Sequence, residues 1–273
     1  IESALQTSKL FNSQNISVTV DLLGESVQSA GEAKIFKKEY LEIINHFSRE
    51  SIYGNLSLKP TMFGLRTDKN ACYENIHEIV THAAQNHNFI RIDMEDSRCT
   101  DPELELFVKL QEEYPKNVGV VLQACLHRTH SDLQHLLRLN SNESPLNIRL
   151  CKGIYDEPEI IAYKGKEEIR KHFLEDLKYM LLNKIYAAIA THDRYLLENA
   201  FRLIDEYRIP KNMYEFQMLF GVTPELRQMI VDRGHSMRVY LPYGKHWFQY
   251  CTRRLKENPK IARHIIKALF VRG

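Results

Sequence analysis

Short, largely apolar runs alternate along the chain with longer segments in which apolar and charged residues follow a helical period. Eight of the short runs are rich in β-forming residues: 16–22, 55–59, 89–93, 118–123, 147–151, 185–191, 214–218 and 238–241. Runs such as VGVVLQ and IYAAIAT are almost continuously apolar, which is typical of parallel strands that are buried on both faces. The pattern therefore predicts eight buried parallel strands.

The segments between these runs predict helices, most clearly at 33–49, 69–85, 103–114 and 164–182. Helix-start signals are present at Asp101-Pro102 and at Thr223-Pro224-Glu225. Eight units in 273 residues average about 34 residues each, which fits a (β/α)₈ barrel of the TIM type. A doubly wound sheet is the alternative, but the GxGxxG turn typical of its dinucleotide-binding form does not occur in the sequence.

Composition supports a single packed domain over residues 1–273. Hydrophobic residues make up 44% of the chain and charged residues 26%, as in ordinary globular domains. No linker or internal repeat is visible, and no apolar run approaches the ~18 residues of a membrane span. A net charge of +2 is too small to indicate nucleic acid as a partner.

The cysteines indicate a reducing compartment. There are five of them, an odd number, widely spaced and without a CxxC pair, so we expect free thiols and neither a disulfide framework nor a metal site. The chain begins with Ile1 and has no signal-peptide segment at its start. These features predict a cytoplasmic protein whose N terminus is processed or shortened, with any N-terminal arm outside the sequence.

Polar residues stand at the carboxyl ends of seven of the eight predicted strands, where barrel enzymes carry their active sites. They are Lys59, Asp93, Gln123, Arg149 with Lys152, Thr191 with His192, Gln217 and Tyr240. Any one of them could be a solvated loop residue, and His192 could belong to the entry of the next helix. Together they indicate a functional site at one mouth of the barrel.

A second group lies near the end of the chain. Tyr250, Arg253, Arg254 and Glu257 are spaced to share one face of a helix. Two adjacent guanidinium groups repel each other unless an anion neutralises them, and their planar forks suit a carboxylate. The alternative is a solvated face on which Glu257 offsets both arginines.

The last segment of the chain is basic. Residues 253–273 contain seven Lys or Arg and one Glu, and 259–273 carries apolar residues at helical spacing. One interpretation is a terminal helix that packs its apolar stripe on the body of the protein. The other is a basic amphipathic helix that contacts an anionic membrane surface.

Eight segments match one enzyme family in order along most of the chain. They are LSLKP (56–60), RIDMEDS (91–97), VVLQACL (120–126), IRLCKGIY (148–155), ATHD (190–193), YEFQMLFGV (214–222), RVYLPYG (238–244) and YCTRRLKEN (250–258). Each is weak alone, but eight in order at barrel spacing are specific. The chain resembles the proline dehydrogenase family, in particular its bacterial monofunctional branch.

The resemblance implies a flavoenzyme of proline catabolism. Members of the family bind FAD at the barrel mouth without a Rossmann fold. They oxidise L-proline to Δ1-pyrroline-5-carboxylate by hydride transfer to FAD N5, the first step towards glutamate, and a membrane quinone accepts the electrons. The protein supplies orientation and electrostatics to the cofactor. A quinone acceptor also implies peripheral contact with the inner face of the cell membrane, for which the basic tail is a candidate.

By position, the resemblance assigns eight residues to the substrate: Lys59, Asp93, Tyr155, Leu219, Tyr240, Tyr250, Arg253 and Arg254. Arg253 and Arg254 are expected to hold the proline carboxylate, on a last helix of about 243–257 placed over the mouth. Asp93 is expected to orient Lys59. Tyr240, Tyr250 and Leu219 would wall the ring, and Tyr155 would complete the substrate end together with Asp93. A bulky Tyr240 points to proline over hydroxyproline.

The flavin is expected to contact Gln123, Arg149, Cys151, Lys152, Gly153, Ile154, Thr191, His192 and Gln217. Arg149 ranks first, because a fixed cation beside the flavin ring would stabilise the electron density that it receives. Ile154 replaces the usual alanine of the family and adds bulk there. Glu25 is expected to pair with Arg253 or Arg254 and act as a gate.

Two alternatives remain open at this point. A Schiff-base aldolase on the same barrel would use Lys59 or Lys152 as its nucleophile. A catalytically silent barrel that acts as a binding partner would be expected to have lost Arg149 or the arginine pair, and the sequence retains them.

Overall fold

The computed structural model describes residues 1–24, 26–27 and 29–244. Its core is a closed barrel of eight parallel strands in sequence order, with β1 paired to both β2 and β8. The strands are β1 Ser17–Leu22, β2 Gly54–Leu58, β3 Ile90–Ile92, β4 Val118–Gln123, β5 Asn147–Cys151, β6 Tyr186–Ala190, β7 Tyr214–Leu219 and β8 Met237–Tyr243. The predicted (β/α)₈ barrel is confirmed.

Strand positions agree closely with the apolar pattern, and the clearest difference is in β8. β4 and β5 have the predicted bounds, whereas β8 continues past the predicted 238–241 to Tyr243. The strand is longer because it pairs with the whole of β1, as far as the pair of Leu22 and Tyr243. Residue 243 is therefore in a strand and does not begin the predicted last helix. Residues 245–257 of that helix lie outside the described residues.

Helices surround the barrel in the described part of the chain. They are α1 Glu2–Asn12, α2 Ala30–Arg49, α3 Lys69–Gln85, α4 Ser97–Glu113, α5 Thr129–Leu136, α6 Lys166–Leu182, α7 Arg194–Glu206 and α8 Pro224–Asp232. Short 3₁₀ turns cover Pro60–Phe63, Leu137–Leu139 and Lys211–Met213. None of the described helices is long and apolar enough to cross a membrane.

The two proline-based helix starts have different outcomes. α8 begins at Pro224 with Thr223 as its N-cap, as predicted. The start predicted at Asp101-Pro102 is wrong, because α4 already begins at Ser97. The Asp96 carboxylate accepts a hydrogen bond of 3.2 Å from the Arg98 backbone N–H, which caps the earlier start. Pro102 therefore lies inside α4, where it lacks the N–H that would donate to the carbonyl four residues earlier.

Successive residues of the strands face opposite sides of the barrel wall. One set is apolar and belongs to the main hydrophobic core, as Val120, Ile148 and Phe216 show. The other set contains many polar residues, which meet across the interior, where barrels of this type usually hold branched aliphatic residues. Gly119 makes room for one of these polar groups, since a Cβ there would lie 2.6 Å from Arg91 Nη1.

The interior polar residues form two layers, two residues apart along the strands. We call Asp21, Lys59, Asp93 and Arg149 the carboxyl-end layer: Asp21 is the penultimate residue of β1, Lys59 and Asp93 directly follow their strands, and Arg149 lies two residues before the end of β5. Arg91, Glu215 and Arg238 form the amino-end layer. The four cysteines in the described part of the chain, Cys72, Cys99, Cys125 and Cys151, are free thiols.

Candidate active site

Arg149 is the hub of the carboxyl-end layer. Its Nε donates to Gln217 Oε1 at 2.5 Å, Nη1 donates to Asp93 Oδ1 at 2.7 Å, and Nη2 donates to Ser57 Oγ at 3.1 Å. The residue is 6% exposed. Since its partners come from β7, β3 and β2, closure of the barrel holds one guanidinium group in a single orientation.

The Asp93 carboxylate is shared among three neighbours. Besides the bond from Arg149, its Oδ1 accepts a hydrogen bond from Ser57 Oγ at 3.0 Å, and its Oδ2 accepts one from the Tyr240 hydroxyl at 2.8 Å. The Arg149 guanidinium also lies 5.2 Å from the centre of the Tyr240 ring, in cation–π geometry. These contacts bring predicted substrate and flavin residues into one network.

Lys59 is held mainly by a residue that the sequence analysis did not single out. Its Nζ donates to both carboxylate oxygens of Asp21, at 2.6 and 2.7 Å, whereas Asp93 Oδ2 lies 4.0 Å away. The orienting role expected of Asp93 thus belongs chiefly to Asp21. Complete burial raises the pKa of the Asp21 carboxyl, and the Lys59 ammonium offsets only part of that rise.

Gln217 connects the two interior layers. Its Oε1 accepts from Arg149, while its Nε2 donates to Glu215 Oε1 at 2.6 Å. Glu215 is in turn paired with Arg238 Nε at 2.7 Å. A glutamine amide bonded on both sides has one defined orientation, so the amino-end layer helps to fix the position of Arg149.

The turn after β5 requires a glycine. Gly153 has φ +98°, in the left-handed region, and a Cβ there would lie 2.2 Å from Cys125 Sγ. The turn is also tied to the preceding segment, since the Cys125 backbone N–H donates to the Lys152 carbonyl at 2.9 Å. Beyond it, Ile154 and Tyr155 are each 39% exposed. The predicted flavin segment 151–154 therefore forms a fixed turn at the barrel mouth.

The residues after β6 organise their surroundings. The Asp193 carboxylate caps α7 and accepts a hydrogen bond from Arg170 Nε at 2.9 Å. It also lies 3.4 Å from Lys152 Nζ and so positions that lysine. Burial alone raises the pKa of the Asp193 carboxyl, but its bonds with the two cations bring the pKa below its usual value. The Thr191 hydroxyl accepts from the Asp193 backbone N–H at 3.1 Å.

His192 fastens the end of β7. Its Nε2 accepts from the Leu219 backbone N–H at 3.2 Å, and its Nδ1 lies 3.2 Å from Thr223 Oγ1. Because a backbone N–H can only donate, Nε2 is the unprotonated nitrogen, and we infer that the proton is on Nδ1. The ring thereby sets the position of the predicted substrate residue Leu219.

Gln123 is the last residue of β4 and lies beside a buried pair of carboxyl groups. Its Nε2 donates to the Glu95 carbonyl at 2.9 Å. The Glu95 backbone N–H donates in turn to Glu103 Oε2 at 3.1 Å. Burial raises the pKa of both carboxyl groups, that of Glu103 well above its usual value, and their mutual repulsion raises the pKa of Glu103 further. Through the Glu95 backbone, this pair is connected to Gln123 at the end of β4. Cys151 is half-buried at the end of β5.

The structure thus brings most of the described candidates together at the mouth. Glu25, Tyr250, Arg253 and Arg254 lie outside the described residues. Sequence reasoning missed Asp21, Ser57 and Glu215. An acidic residue inside the apolar strand SVTVDL could have drawn attention to Asp21, whereas the serine of LSL and the glutamate near the start of β7 carry no comparable signal.

Among the described residues, no group of three or more His, Cys, Asp or Glu side chains could hold a metal ion. The described residues at the carboxyl end of the barrel present fixed cations, carboxylates and amides.

Comparison with known proteins gives one consistent answer. The family model described as proline dehydrogenase matches residues 4–265. Proline dehydrogenase 2 of Bacillus subtilis is 38% identical over 257 residues, which cover 94% of this chain and 83% of that protein. The Deinococcus radiodurans proline dehydrogenase is 32% identical, with 98% of this chain and 86% of that protein covered.

A solved structure agrees with these sequences. Proline utilization A (PutA) from Bdellovibrio bacteriovorus, in a form inactivated by N-propargylglycine, superposes with a TM-score of 0.88 at 26% identity. The match covers 94% of this chain and 31% of the PutA chain, so the chain spans about a third of that protein. The family model and the two enzyme sequences together show that the chain belongs to the proline dehydrogenase family.

Proposed function

We propose that this protein is an FAD-dependent proline dehydrogenase that oxidises L-proline to Δ1-pyrroline-5-carboxylate, the first step of proline catabolism. The observation that carries the proposal is the buried Arg149, held by Asp93, Gln217 and Ser57 at the barrel mouth of a member of this family. Family membership favours this oxidoreductase over the aldolase and over a silent barrel.

The donor set of the mouth fits a flavin dinucleotide. A guanidinium group and two amides, from Arg149, Gln123 and Gln217, suit the acceptor and donor atoms of the ring system, and the Lys152 ammonium suits an anionic diphosphate. The fixed turn at Gly153 adds a backbone segment that a flat ring can approach. Bound FAD would accept a hydride from the proline ring carbon at its N5 atom and pass the electrons to a membrane quinone.

Arg149 contributes electrostatics that exist before any ligand arrives. Because its three hydrogen bonds are already made, its charge does not need to reorganise when negative charge develops nearby. Asp93 holds the Arg149 guanidinium in place, and the net charge of the pair is close to zero. Tyr240 restricts the space over Arg149 and helps to exclude water.

The substrate would bind through its carboxylate. Lys59 supplies one cation, oriented by Asp21, and we propose that Arg253 and Arg254 supply two more. Tyr155, Leu219, Tyr240 and Tyr250 would wall the pyrrolidine ring and hold its carbon at near-attack distance. In this proposal Glu25 pairs with one of the arginines as a gate.

A visible absorption spectrum of the purified protein, followed by anaerobic addition of L-proline, tests the function directly. Flavin bands that bleach with proline are expected. A flavin that ignores proline would contradict the substrate, and a colourless protein that does not take up added FAD would contradict the cofactor. Arg253→Met and Arg254→Met should each raise KM for proline at least ~10-fold, about 1.4 kcal/mol. An unchanged KM would remove that arginine from the site.

We further propose that residues 259–273 provide peripheral membrane contact near the quinone. Basic amphipathic segments bind anionic bilayers through combined charge and apolar burial. Sedimentation with anionic vesicles should pellet the full chain more strongly than a chain ending at residue 258. Equal pelleting of the two would contradict this role.

A further inference from the structure

A cavity of about 370 Å³ lies at the amino end of the barrel, opposite the candidate active site. Its walls come from the starts of several strands and from the ends of α2 and α3. Its polar lining includes Arg91, Glu215, Arg238, Tyr186, Asn55 and Asn147. The volume is in the range of natural small-molecule sites, and the chemistry described above for the active site does not use it.

The charges in this cavity are unbalanced. Glu215 pairs with Arg238 at 2.7 Å. Arg91 donates only to neutral oxygens: Nη1 donates to the carbonyls of Val120 and Asn147 at 3.0 and 2.7 Å, and Nη2 donates to Asn147 Oδ1. Among the cavity-lining residues there are two guanidinium groups and one carboxylate. Glu215 attracts both guanidinium groups but forms its ion pair with Arg238, so the described lining of the cavity carries one surplus positive charge.

Arg91 also has an unused donor. The residue is 1% exposed, and its Nε has no hydrogen-bond partner among the described residues. Burial, with repulsion from Arg149 and Arg238, lowers the pKa of its guanidinium to about 9. Buried charges in proteins are normally paired, and a buried N–H without a partner is costly. The surplus positive charge beside the cavity indicates a place for an anion, whereas the Nε atom is covered by protein and is not itself open to the cavity.

We propose that the amino-end cavity binds a small oxyanion, a carboxylate or inorganic phosphate, through Arg91 with Arg238 alongside. Guanidinium groups attract both oxyanions through their charge and through charge-assisted hydrogen bonds. A bound monoanion would balance the two cations and Glu215. Because the walls of the cavity belong to strands from both halves of the barrel, a bound anion would also stabilise the fold.

Thermal unfolding of the FAD-loaded protein tests this site. Sodium acetate and sodium phosphate are each compared with sodium chloride at the same ionic strength and pH. At least one of the two oxyanions should raise Tm in a saturable manner, since a ligand that binds only the folded state stabilises it. The acetate and phosphate series distinguish a carboxylate from an inorganic ligand.

Two arginine variants locate the effect. Arg91→Gln should weaken the apparent affinity for the anion at least ~10-fold. Arg194→Gln, which removes an exposed arginine paired with Glu198 on α7, should leave it unchanged. Because acetate could also act at the barrel mouth, a Tm rise that persists in Arg91→Gln would overturn the proposal, as would no Tm rise with either oxyanion.

Crystals of the wild-type protein provide a readout that does not depend on a variant that folds. After soaking in acetate or in arsenate, an anomalous-scattering analogue of phosphate, density for an anion should lie within about 4 Å of the Arg91 guanidinium. Only water in the cavity after both soaks would overturn the proposal.

Discussion

The two interior layers of the barrel use similar residues in opposite ways. In the carboxyl-end layer each cation has its own carboxylate, with Lys59 on Asp21 and Arg149 on Asp93 at 2.6 and 2.7 Å. In the amino-end layer Arg91 and Arg238 share a single carboxylate, and only Arg238 pairs with it. The mouth is thus preorganised and close to neutral, whereas the other end has a surplus cation beside a cavity.

The two layers differ in charge pairing although they lie only two residues apart along the same strands. β3 carries Arg91, and Asp93 is the first residue after that strand. β7 carries both Glu215 and Gln217. A step of two along a strand keeps the side chain on the inner face but moves it towards the other end of the barrel. A buried ion pair is seldom more stabilising than well-packed apolar residues. Charges in the barrel interior are therefore better explained by function than by stability.

The largest expected effect comes from removing the shared carboxylate of the amino-end layer. Glu215→Leu leaves two buried guanidinium groups without an anion and should lower the free energy of unfolding by about 3–5 kcal/mol. The double variant Glu215→Leu/Arg238→Leu should recover a large part of that loss, because it removes the pair as a unit. Urea unfolding of the three proteins measures both values. No recovery in the double variant would contradict the pairing described here.

The next effect separates the layers by activity. Arg149→Met should lower the rate of flavin reduction by proline about 10²- to 10³-fold, because a preorganised charge is lost from the reaction site. Arg91→Met, at the other end, should change that rate less than about 3-fold in the folded, flavin-loaded protein. Anaerobic stopped-flow measurement at saturating proline provides the comparison. Equal losses in the two variants would mean that the layers are not functionally distinct.

Asp21 in the carboxyl-end layer and Glu215 in the amino-end layer should respond to pH in opposite directions. Burial raises the pKa of Asp21, so this residue makes the free energy of unfolding fall as pH rises from ~4 through its folded pKa. Burial also disfavours the Glu215 carboxylate, but Arg238 and Gln217 outweigh this and lower its pKa. Its stabilisation is therefore present above the unfolded pKa of ~4.3 and is lost as pH falls through the folded pKa.

Two isosteric variants test these signs. Asp21→Asn should remove a decline in the free energy of unfolding with rising pH, and Glu215→Gln should remove an increase. The size of each change is about 1.4 kcal/mol for every unit by which the folded and unfolded pKa values of that carboxyl group differ. Urea midpoints between pH 3.5 and 7 measure the profiles. Identical changes of slope in the two variants would contradict the assignment.

The smallest expected effect concerns Tyr240. Tyr240→Phe keeps the ring over Arg149 but removes the hydrogen bond to Asp93, which should cost about 1 kcal/mol, or roughly 5-fold in kcat/KM. Tyr240→Ser also removes the ring and should narrow the preference for proline over hydroxyproline. Tyr243→Phe is the matched control, because that hydroxyl bonds to Glu39 on α2. An unchanged preference in Tyr240→Ser would place the selectivity elsewhere.

The sequence determined the strands, the fold class and the family. Strand periodicity is local, since each apolar run must be buried whichever strand lies beside it, and β4 and β5 have the predicted bounds for that reason. Polar residues near or just beyond the carboxyl ends of the strands, such as Gln217 and Lys59, were also accessible to prediction. Parallel strands in a barrel deliver their carboxyl ends to one mouth.

The tertiary structure decided which side chains are partners. Tyr240 reaches Asp93 across 147 positions of the sequence because the barrel closes between β1 and β8, and Asp21 reaches Lys59 across 38 because β1 pairs with β2. The surplus charge of Arg91 is equally invisible in the sequence, where 37 lysines and arginines nearly balance 35 aspartates and glutamates. Whether a buried charge is compensated depends on distances across the interior, and those are set by closure and register of the whole barrel.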